Sequence, residues 1–463
     1  MNYGRSVIYS DEEIITRENV KEIVIEAYGK HAANDLAADK LYRHYKGETK
    51  ILSKKKEVRE EINHKVNENR AFEIVDFHKG YTFGEPVQFV RRENAEQKTE
   101  DDGIAAEINT LNSYMLDAHK ASRDNELAEW LYVAGTSYRL GLPNADWSAD
   151  GDEPPFVIST LDPRNTFVVY QNSIMKKELC AVTYVKHEDD EIEFYVYSAD
   201  CFYNFTLNGA AVLEEPHALG VIPIIEYPAN PPRLGVFEPA MPLLDALNEL
   251  QSNRMDDVVQ TVNSFLAILG GELTDEVYQK LSDYKLLNLP EGVDAKYLSV
   301  PMSQTDIQTL KDDLYQSILT ICGVPNRSGG STAGDNGVAV IYRDGFATAE
   351  TRSKAVELMF KESEKKFLKL ILRILRDTVG TRLKLSDIDI HFTRRNYENI
   401  AAKSQVLIAM LNSPKIHPEL AFASCGMFPD PESAYLQSKE YYEAEMKKWN
   451  PVEVDENDVS DIG

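Results

Sequence analysis

Residues 239–271 read PAMPLLDALNELQSNRMDDVVQTVNSFLAILGG. Leu243, Leu247, Leu250, Val258, Val262 and Phe265 recur there mostly every three or four residues, the spacing that places side chains on one face of a helix. Asp245, Glu249, Asp256 and Asp257 fall among them, so another face of this long helix is acidic. Working outward, 271–302 reads as a small α/β insertion: a short helix in ELTDEVYQKL, then the strands KLLNLP and AKYLSV about a Glu-Gly turn. A second helix is expected over 303–321 and a third, longer one over 338–379, with Gly345 as a candidate kink. Between them GVPNRSGGSTAGDNG (323–337) is too rich in Gly and Ser to continue a helix. Two long helices with a module at their tip and a loop at their base suggest a machine part, not a catalytic pocket.

A chain of 463 residues exceeds one ordinary core, so two to four structural units are expected. With 43% hydrophobic and 27% charged residues it has the composition of a folded soluble protein. The balance of 50 basic against 76 acidic residues gives a formal charge of -26, which argues against a DNA-binding protein that works by neutralising phosphates. Cys180, Cys201, Cys322 and Cys425 are far apart and form no C-x-x-C pair, which argues against a disulfide framework or zinc site. The first residues, MNYGRSVIYSDEEIITREN, lack the apolar core of a signal peptide. The least polar run, 258–271, is too short to span a bilayer and contains Gln260, Thr261, Asn263 and Ser264.

Along the chain, an exposed arm leads into helices expected at 17–31 and 32–45, and another at 67–79 stops at Gly80 before a turn and strand in GYTFGEPVQFVRR. Helices follow at 102–116 and 122–134, with Asp124 as a candidate cap. From 135 to 227 the period becomes two, and FVISTL, NTFVVYQN, ELCAVTYVKH, EIEFYVYS and FYNFTLN read as an antiparallel sheet. His187, Glu188, Asp189 and Asp190 read as a hairpin turn between two of these strands, since consecutive turn side chains do not converge on one ion. YPANPPRLGVFEP reads as a proline-rich hinge, LSDIDIHFTRR as a strand able to rejoin the earlier sheet, and 397–449 as helices broken at Ser413-Pro414 and Phe428-Pro429. The acidic tail VEVDENDVSDIG reads as disordered.

Motifs for chemistry fail on inspection. Gly329 and Gly334 have the spacing of a phosphate-binding loop, but Asp335 and Asn336 stand where Lys and Ser or Thr are required, and a helix precedes the loop instead of a strand. No H-E-x-x-H, G-x-S-x-G or Rossmann glycine pattern occurs, and the nine histidines are scattered. Asp256 and Asp257 are adjacent on a helix and diverge. Neither catalysis nor a metal or cofactor is expected.

Several segments together resemble the portal proteins of long-tailed, double-stranded-DNA bacteriophages. They are Tyr42-x-x-Tyr45-x-Gly47, the helix running into Gly80-Tyr81-x-Phe83-Gly84-x-Pro86-Val87, and Gly323-Val324-Pro325 before a Gly/Ser loop that ends at Asn336-Gly337-Val338-Ala339. Their order, with the helix–insertion–helix block between them, covers about 27–449. The resemblance implies an α+β, mainly α, fold: arm 1–26, wing 27–235, stem helix 236–270, clip 271–302, second stem helix 303–322, tunnel loop 323–337, long wing helix 338–380, wing strand 381–396, crown 397–450 and tail 451–463.

It further implies a ring, usually of twelve subunits, at one capsid vertex of the virion, assembled in the host cytoplasm without any membrane. The partners it implies are the terminase large subunit, the major capsid and scaffolding proteins, a head–tail connector, and double-stranded DNA passing without sequence preference. On this basis Arg327, Ser328, Ser331, Thr332, Asn336 and Arg343 are candidates to touch the DNA backbone, though Arg343 could equally pair with Asp344 or a neighbouring subunit. Glu272, Asp275, Glu276, Lys280, Asp283 and Glu291 are candidates to dock the motor or connector. Asp245, Glu249, Asp256 and Asp257 either form a repulsive tunnel lining, which would let DNA slide, or face solvent outside the ring. Helices of roughly 48 Å and 63 Å over 238–269 and 338–379 exceed one subunit's core, so neighbouring copies are expected to cover their remaining apolar faces. Competing readings are another head or neck ring, a nucleotide-dependent DNA enzyme, and a scaffolding protein with no DNA path.

Overall fold

The computed structural model describes residues 3–57, 60–92, 102–149, 151, 153–188, 190–262, 265–269, 294–298, 304–326, 345–393, 400–428 and 431–449. In chain order its elements begin with β1 (Ile8–Ser10), α1 (Val20–Tyr45), α2 (Arg70–Phe83), β2 (Gln88–Arg91), α3 (Asp102–Asp117) and α4 (Lys120–Ala134). The strands β3 (Thr136–Pro143), β4 (Phe156–Leu161), β5 (Thr166–Gln171), β6 (Glu178–Lys186), β7 (Ile192–Tyr197), β8 (Cys201–Thr206), β9 (Leu213–Pro216) and β10 (Ile224–Pro228) follow. Then come α5 (Met241–Val262), β11 (Phe265–Leu269), β12 (Asp294–Leu298), α6 (Gln304–Cys322) and α7 (Phe346–Thr378). The chain closes with β13 (Ile388–His391), α8 (Ile400–Leu411), α9 (Pro418–Cys425) and α10 (Pro431–Trp449). It is an α+β fold in two compact units. One comprises Met1–His78, Leu127–Arg139 and Thr160–Asn326, the other Lys79–Glu126, Leu140–Ser159 and Arg327–Gly463.

In the first unit β5 to β9 form an antiparallel meander, and β1 joins β5 in parallel with Ile8 opposite Val169. Alternate residues face the core: Phe167 and Val169, Cys180, Val182 and Tyr184, Phe194 and Val196, Tyr203 and Phe205. α1 lays Val20, Ile23, Val24 and Ala27 across them, and each large apolar side chain buried this way contributes about 1.5–3 kcal/mol. The period-two reading holds for four of the five expected runs, including the turn between β6 and β7, where His187 N–H donates to Glu191 O at 2.9 Å; FVISTL forms β4, a strand as expected, but outside this six-stranded sheet. Two expectations change. The start of the chain is not all an exposed arm, because β1 is in the sheet, and 20–45 is one helix, since nothing between His31 and Asn34 breaks it.

The proline-rich segment before α5 is a locked corner, not a hinge. Ala229 N–H donates to Gly135 O at 3.0 Å, Val236 N–H to Tyr132 O at 2.8 Å, and Arg5 N–H to Pro232 O at 3.1 Å. A Cβ on Gly235 would lie 2.3 Å from the Val133 carbonyl oxygen, closer than real atoms approach. Buried Glu226 holds the corner: it takes Arg233 Nε at 2.6 Å and Nη2 at 2.9 Å, Tyr170 OH at 2.5 Å and Thr136 Oγ1 at 3.1 Å. Burial opposes its charge, but Arg233 and the two hydroxyls outweigh that and hold its carboxyl below the usual range. Arg233 keeps a left-handed backbone, φ +55°, within this clamp.

In the second unit β13 pairs antiparallel with β2, Ile390 opposite Phe89, and so does not rejoin the meander. The Asn112 amide of α3 caps β2, donating to Phe89 O at 2.8 Å and accepting Phe89 N–H at 3.3 Å. The second helix runs through Gly80 to Phe83, because Gly80 meets no steric limit there. Asp124 does not cap α4. It is buried inside the helix with Lys120 Nζ at 2.7 Å, and the same ammonium lies 3.0 Å from Glu364 of α7. α7 buries Phe360, Phe367, Leu368, Ile371, Leu372 and Leu375 along one side. The breaks expected near 413 and 428 separate α8, α9 and α10. The KLLNLP strand and the acidic tail lie outside the described residues.

Candidate functional site

The buried face of α5 is not the leucine stripe that its sequence suggests. Met241, Leu244 and Leu247 begin it, but Asn248, Ser252 and Asp256 continue it, each at most 3% exposed. Leu243 and Leu250 are half-buried, and Val258 is 43% exposed. The helix ends at Val262, and Phe265 belongs to β11, which pairs antiparallel with β12 (Phe265 opposite Leu298).

An extended segment explains the polar face. His64 N–H donates to Asp256 Oδ1 at 2.7 Å, Val66 N–H to Ser252 Oγ at 2.9 Å, and Glu68 N–H to Asn248 Oδ1 at 2.9 Å. Four helical residues advance about 6.0 Å and two extended residues about 6.6 Å, so the two repeats stay nearly in step. Side chains on α5 thus satisfy alternate backbone donors of 64–68, as a neighbouring strand would. Asp256 Oδ2 also takes Lys54 Nζ at 2.9 Å and Lys56 Nζ at 3.0 Å. Burial would raise the Asp256 carboxyl, but the His64 N–H and the two lysines prevail and hold it well below the usual carboxylate range. At the other end of the helix Asp245 lies 2.7 Å from Lys50 Nζ and 3.5 Å from His44 Nε2, and these too outweigh burial and keep it low.

The same segment ties α5 to α6. Glu68 accepts from Gln251 on α5 and lies 3.1 Å from Lys311 Nζ on α6. Tyr315 OH donates to Glu73 at 3.0 Å, and the Arg70 guanidinium lies 4.4 Å from the Tyr315 ring centroid. α6 stops at Gly323, φ +72°, where Val324 N–H closes on Leu319 O at 2.9 Å and His78 Nε2 lies 2.8 Å from the Cys322 carbonyl. Gly345, with a φ of +88°, starts α7 instead of kinking it.

The expected loop residues Arg327, Ser328, Ser331, Thr332, Asn336 and Arg343 lie outside the described residues, as do Glu272, Asp275, Glu276, Lys280, Asp283 and Glu291 of the insertion. The four acids of α5 do not act as one set. Asp256 is buried and Asp245 is engaged by Lys50, whereas Glu249 is exposed and Asp257 half-exposed on a different side. Sequence reasoning missed Asn248, Ser252, His64 and Glu68. Their signal was a row of polar residues at helical spacing, with the alternating His64, Val66 and Glu68 elsewhere to match it.

Among the described residues no group of three or more His, Cys, Asp or Glu is placed to hold a metal ion. None of their helices is long and apolar enough to cross a membrane. The family model described as phage portal protein, SPP1 Gp6-like, matches residues 30–451. The chain belongs to this portal family. Similar solved structures include a chain from the neck of an empty GTA particle computed with C6 symmetry, 14% identical, covering 78% of this chain and 90% of that one at a TM-score of 0.47. A chain from the neck of a native GTA particle computed with C12 symmetry is also 14% identical over 78% and 90%, at a TM-score of 0.43. No curated relative matches the chain in sequence. The portal match includes α5, the β11–β12 pair, α6 and α7, so the helical block and its lacing segment are family territory.

Proposed function

We propose that the chain is the subunit of a twelve-membered ring at one capsid vertex, the channel through which a terminase motor packages double-stranded DNA and through which the DNA later leaves. The family match over 30–451 carries this reading. In it α5 and α6 are stem helices, β11 and β12 belong to a clip that meets the motor and then the head–tail connector, and the tunnel loop of 323–337 forms the constriction. The chain supplies no chemistry; the motor supplies the energy. Apolar side chains left uncovered on the stem support the ring. Met255 and Val258 on α5 and Leu310 on α6 are 43–49% exposed, surface that a neighbouring copy would bury.

The stem must transmit load from clip to capsid without bending, and the lacing of α5 and α6 through 64–73 supplies stiffness that two bare helices would lack. Negative-stain images of the purified chain are expected to show rings with a central channel. Monomers alone, even after co-expression with the capsid protein, would overturn the reading, and ATP hydrolysis by the pure chain would favour an enzyme instead.

A further inference from the structure

The outward face of α7 carries Lys365, Lys369, Arg373 and Arg376, all exposed. Their intervals of four, four and three residues keep them within about 80° of the helix circumference and along about 17 Å of its length. Arg382 and Lys384, also exposed, follow directly. Residues 365–384 hold seven bases and one acid, Asp377, in a chain where acids outnumber bases 76 to 50. That acid lies 3.3 Å from Arg373.

We infer that this stripe is a docking surface for the phosphate backbone of double-stranded DNA, separate from the tunnel loop. Its composition selects the partner. Protein interfaces gather aromatic and apolar anchors and are depleted in lysine, whereas a row of Lys and Arg along one helix face is the electrostatic footprint of a nucleic acid. Two exposed apolar side chains, Leu358 (71%) and Val379 (45%), bound the stripe, and among the described residues between them no large apolar side chain is exposed, so the row itself is cationic. Duplex DNA carries a charge every ~1.7 Å of its axis, so four cations over this length meet phosphates at any register. The contact is therefore independent of sequence. It also qualifies the inference from net charge: the acidic total conceals a local cationic face.

The test is a fluorescence-anisotropy titration of the full chain with a labelled 30-base-pair duplex of mixed sequence, repeated from 50 to 200 mM salt. Binding is expected, with log K falling against log salt at a slope of about -3.6 if four phosphates are neutralised, roughly a 100-fold loss over that range. The variant Lys365→Gln/Lys369→Gln/Arg373→Gln/Arg376→Gln should bind at least tenfold more weakly at 100 mM salt. The single variant Lys369→Gln, with circular dichroism unchanged, should lower the slope by about 0.9. No binding by the unaltered chain at 50 mM salt overturns the inference, as does equal binding by the quadruple variant. Altered ring assembly with unaltered DNA binding also overturns it, and assigns the stripe to an acidic face of another copy. The assay needs no packaging motor, so it can fail while the channel reading stands.

Discussion

Asp256 Oδ1 accepts the backbone N–H of His64 at 2.7 Å, and the other oxygen of that carboxylate receives Lys54 and Lys56. One side chain on α5 therefore fixes three points of a segment nearly two hundred residues earlier. Asp256→Ala leaves a backbone donor and two ammonium groups without their acceptor, an expected loss of about 3 kcal/mol. Ser252→Ala, which removes one neutral acceptor from Val66 N–H, should cost about 1 kcal/mol. Urea unfolding followed by circular dichroism measures both, and equal, negligible shifts would show that the segment is not held by these side chains.

The same carboxylates set an acid limit. Asp256 and Asp245 titrate below the ordinary range in the folded chain, so their stabilisation is present above the unfolded value of about 3.9 and is lost as pH falls below it. The urea midpoint should drop between pH 5 and pH 3. In Asp256→Asn the drop should be shallower, because one of the two groups no longer takes up a proton on unfolding. A parallel pH profile in the variant would assign the acid sensitivity elsewhere.

The meander and the helices were legible because each is recorded in a local period. Alternation in β6 and β7 and the spacing in α7 report which side faces a core. The pairing of β13 with β2, the parallel addition of β1 and the lacing of α5 were not legible, since each joins segments far apart in sequence. The lacing also misled the reading of α5. A stripe containing Asn248, Ser252 and Asp256 looks solvent-facing by hydropathy, yet it is buried because backbone N–H groups pack on it. The candidate DNA-contacting loop was visible only as a change in composition.

Two glycines with opposite surroundings should respond in opposite directions. Gly29 lies inside α1, and a Cβ added there would meet nothing within 4 Å, so Gly29→Ala should stabilise by about 0.5–1 kcal/mol through helix propensity. Gly135 has φ +77°, and its added carbon would lie 2.2 Å from Arg233 O. Gly135→Ala should leave little soluble folded protein. Thermal melts of both variants, with yield for the second, decide the matter.

Buried Lys120 lies between the carboxylates of Asp124 and Glu364, all three at most 3% exposed. Lys120→Met leaves two carboxylates near each other without their cation and should cost about 3–5 kcal/mol. Adding Asp124→Asn and Glu364→Gln should restore much of that loss, because the carboxylate charges that lost their cation are then gone as well. A double-mutant cycle on unfolding free energies reads the coupling, and a triple variant no better than Lys120→Met would show that packing, not charge, governs the site.

If α5 lines the channel, its useful acids are those whose side chains reach solvent. Asp256 already engages the lacing segment and Asp245 engages Lys50 and His44, so neutralising them tests stability and says little about transport. Glu249, which is exposed, and Asp257, which is half-exposed, are eight residues apart, about 12 Å along the helix. Repeated around a ring, they would form two anionic tiers whose field reaches about one Debye length, roughly 10 Å at 0.1 M salt, and so keeps phosphates from settling on the wall. Glu249→Gln with Asp257→Asn should therefore slow packaging in an in vitro terminase assay, most strongly at low salt. Glu249→Lys should slow it further by creating the phosphate contact that the native wall avoids. Unchanged velocity in the double variant, with rings intact by electron microscopy, would place these acids outside the channel.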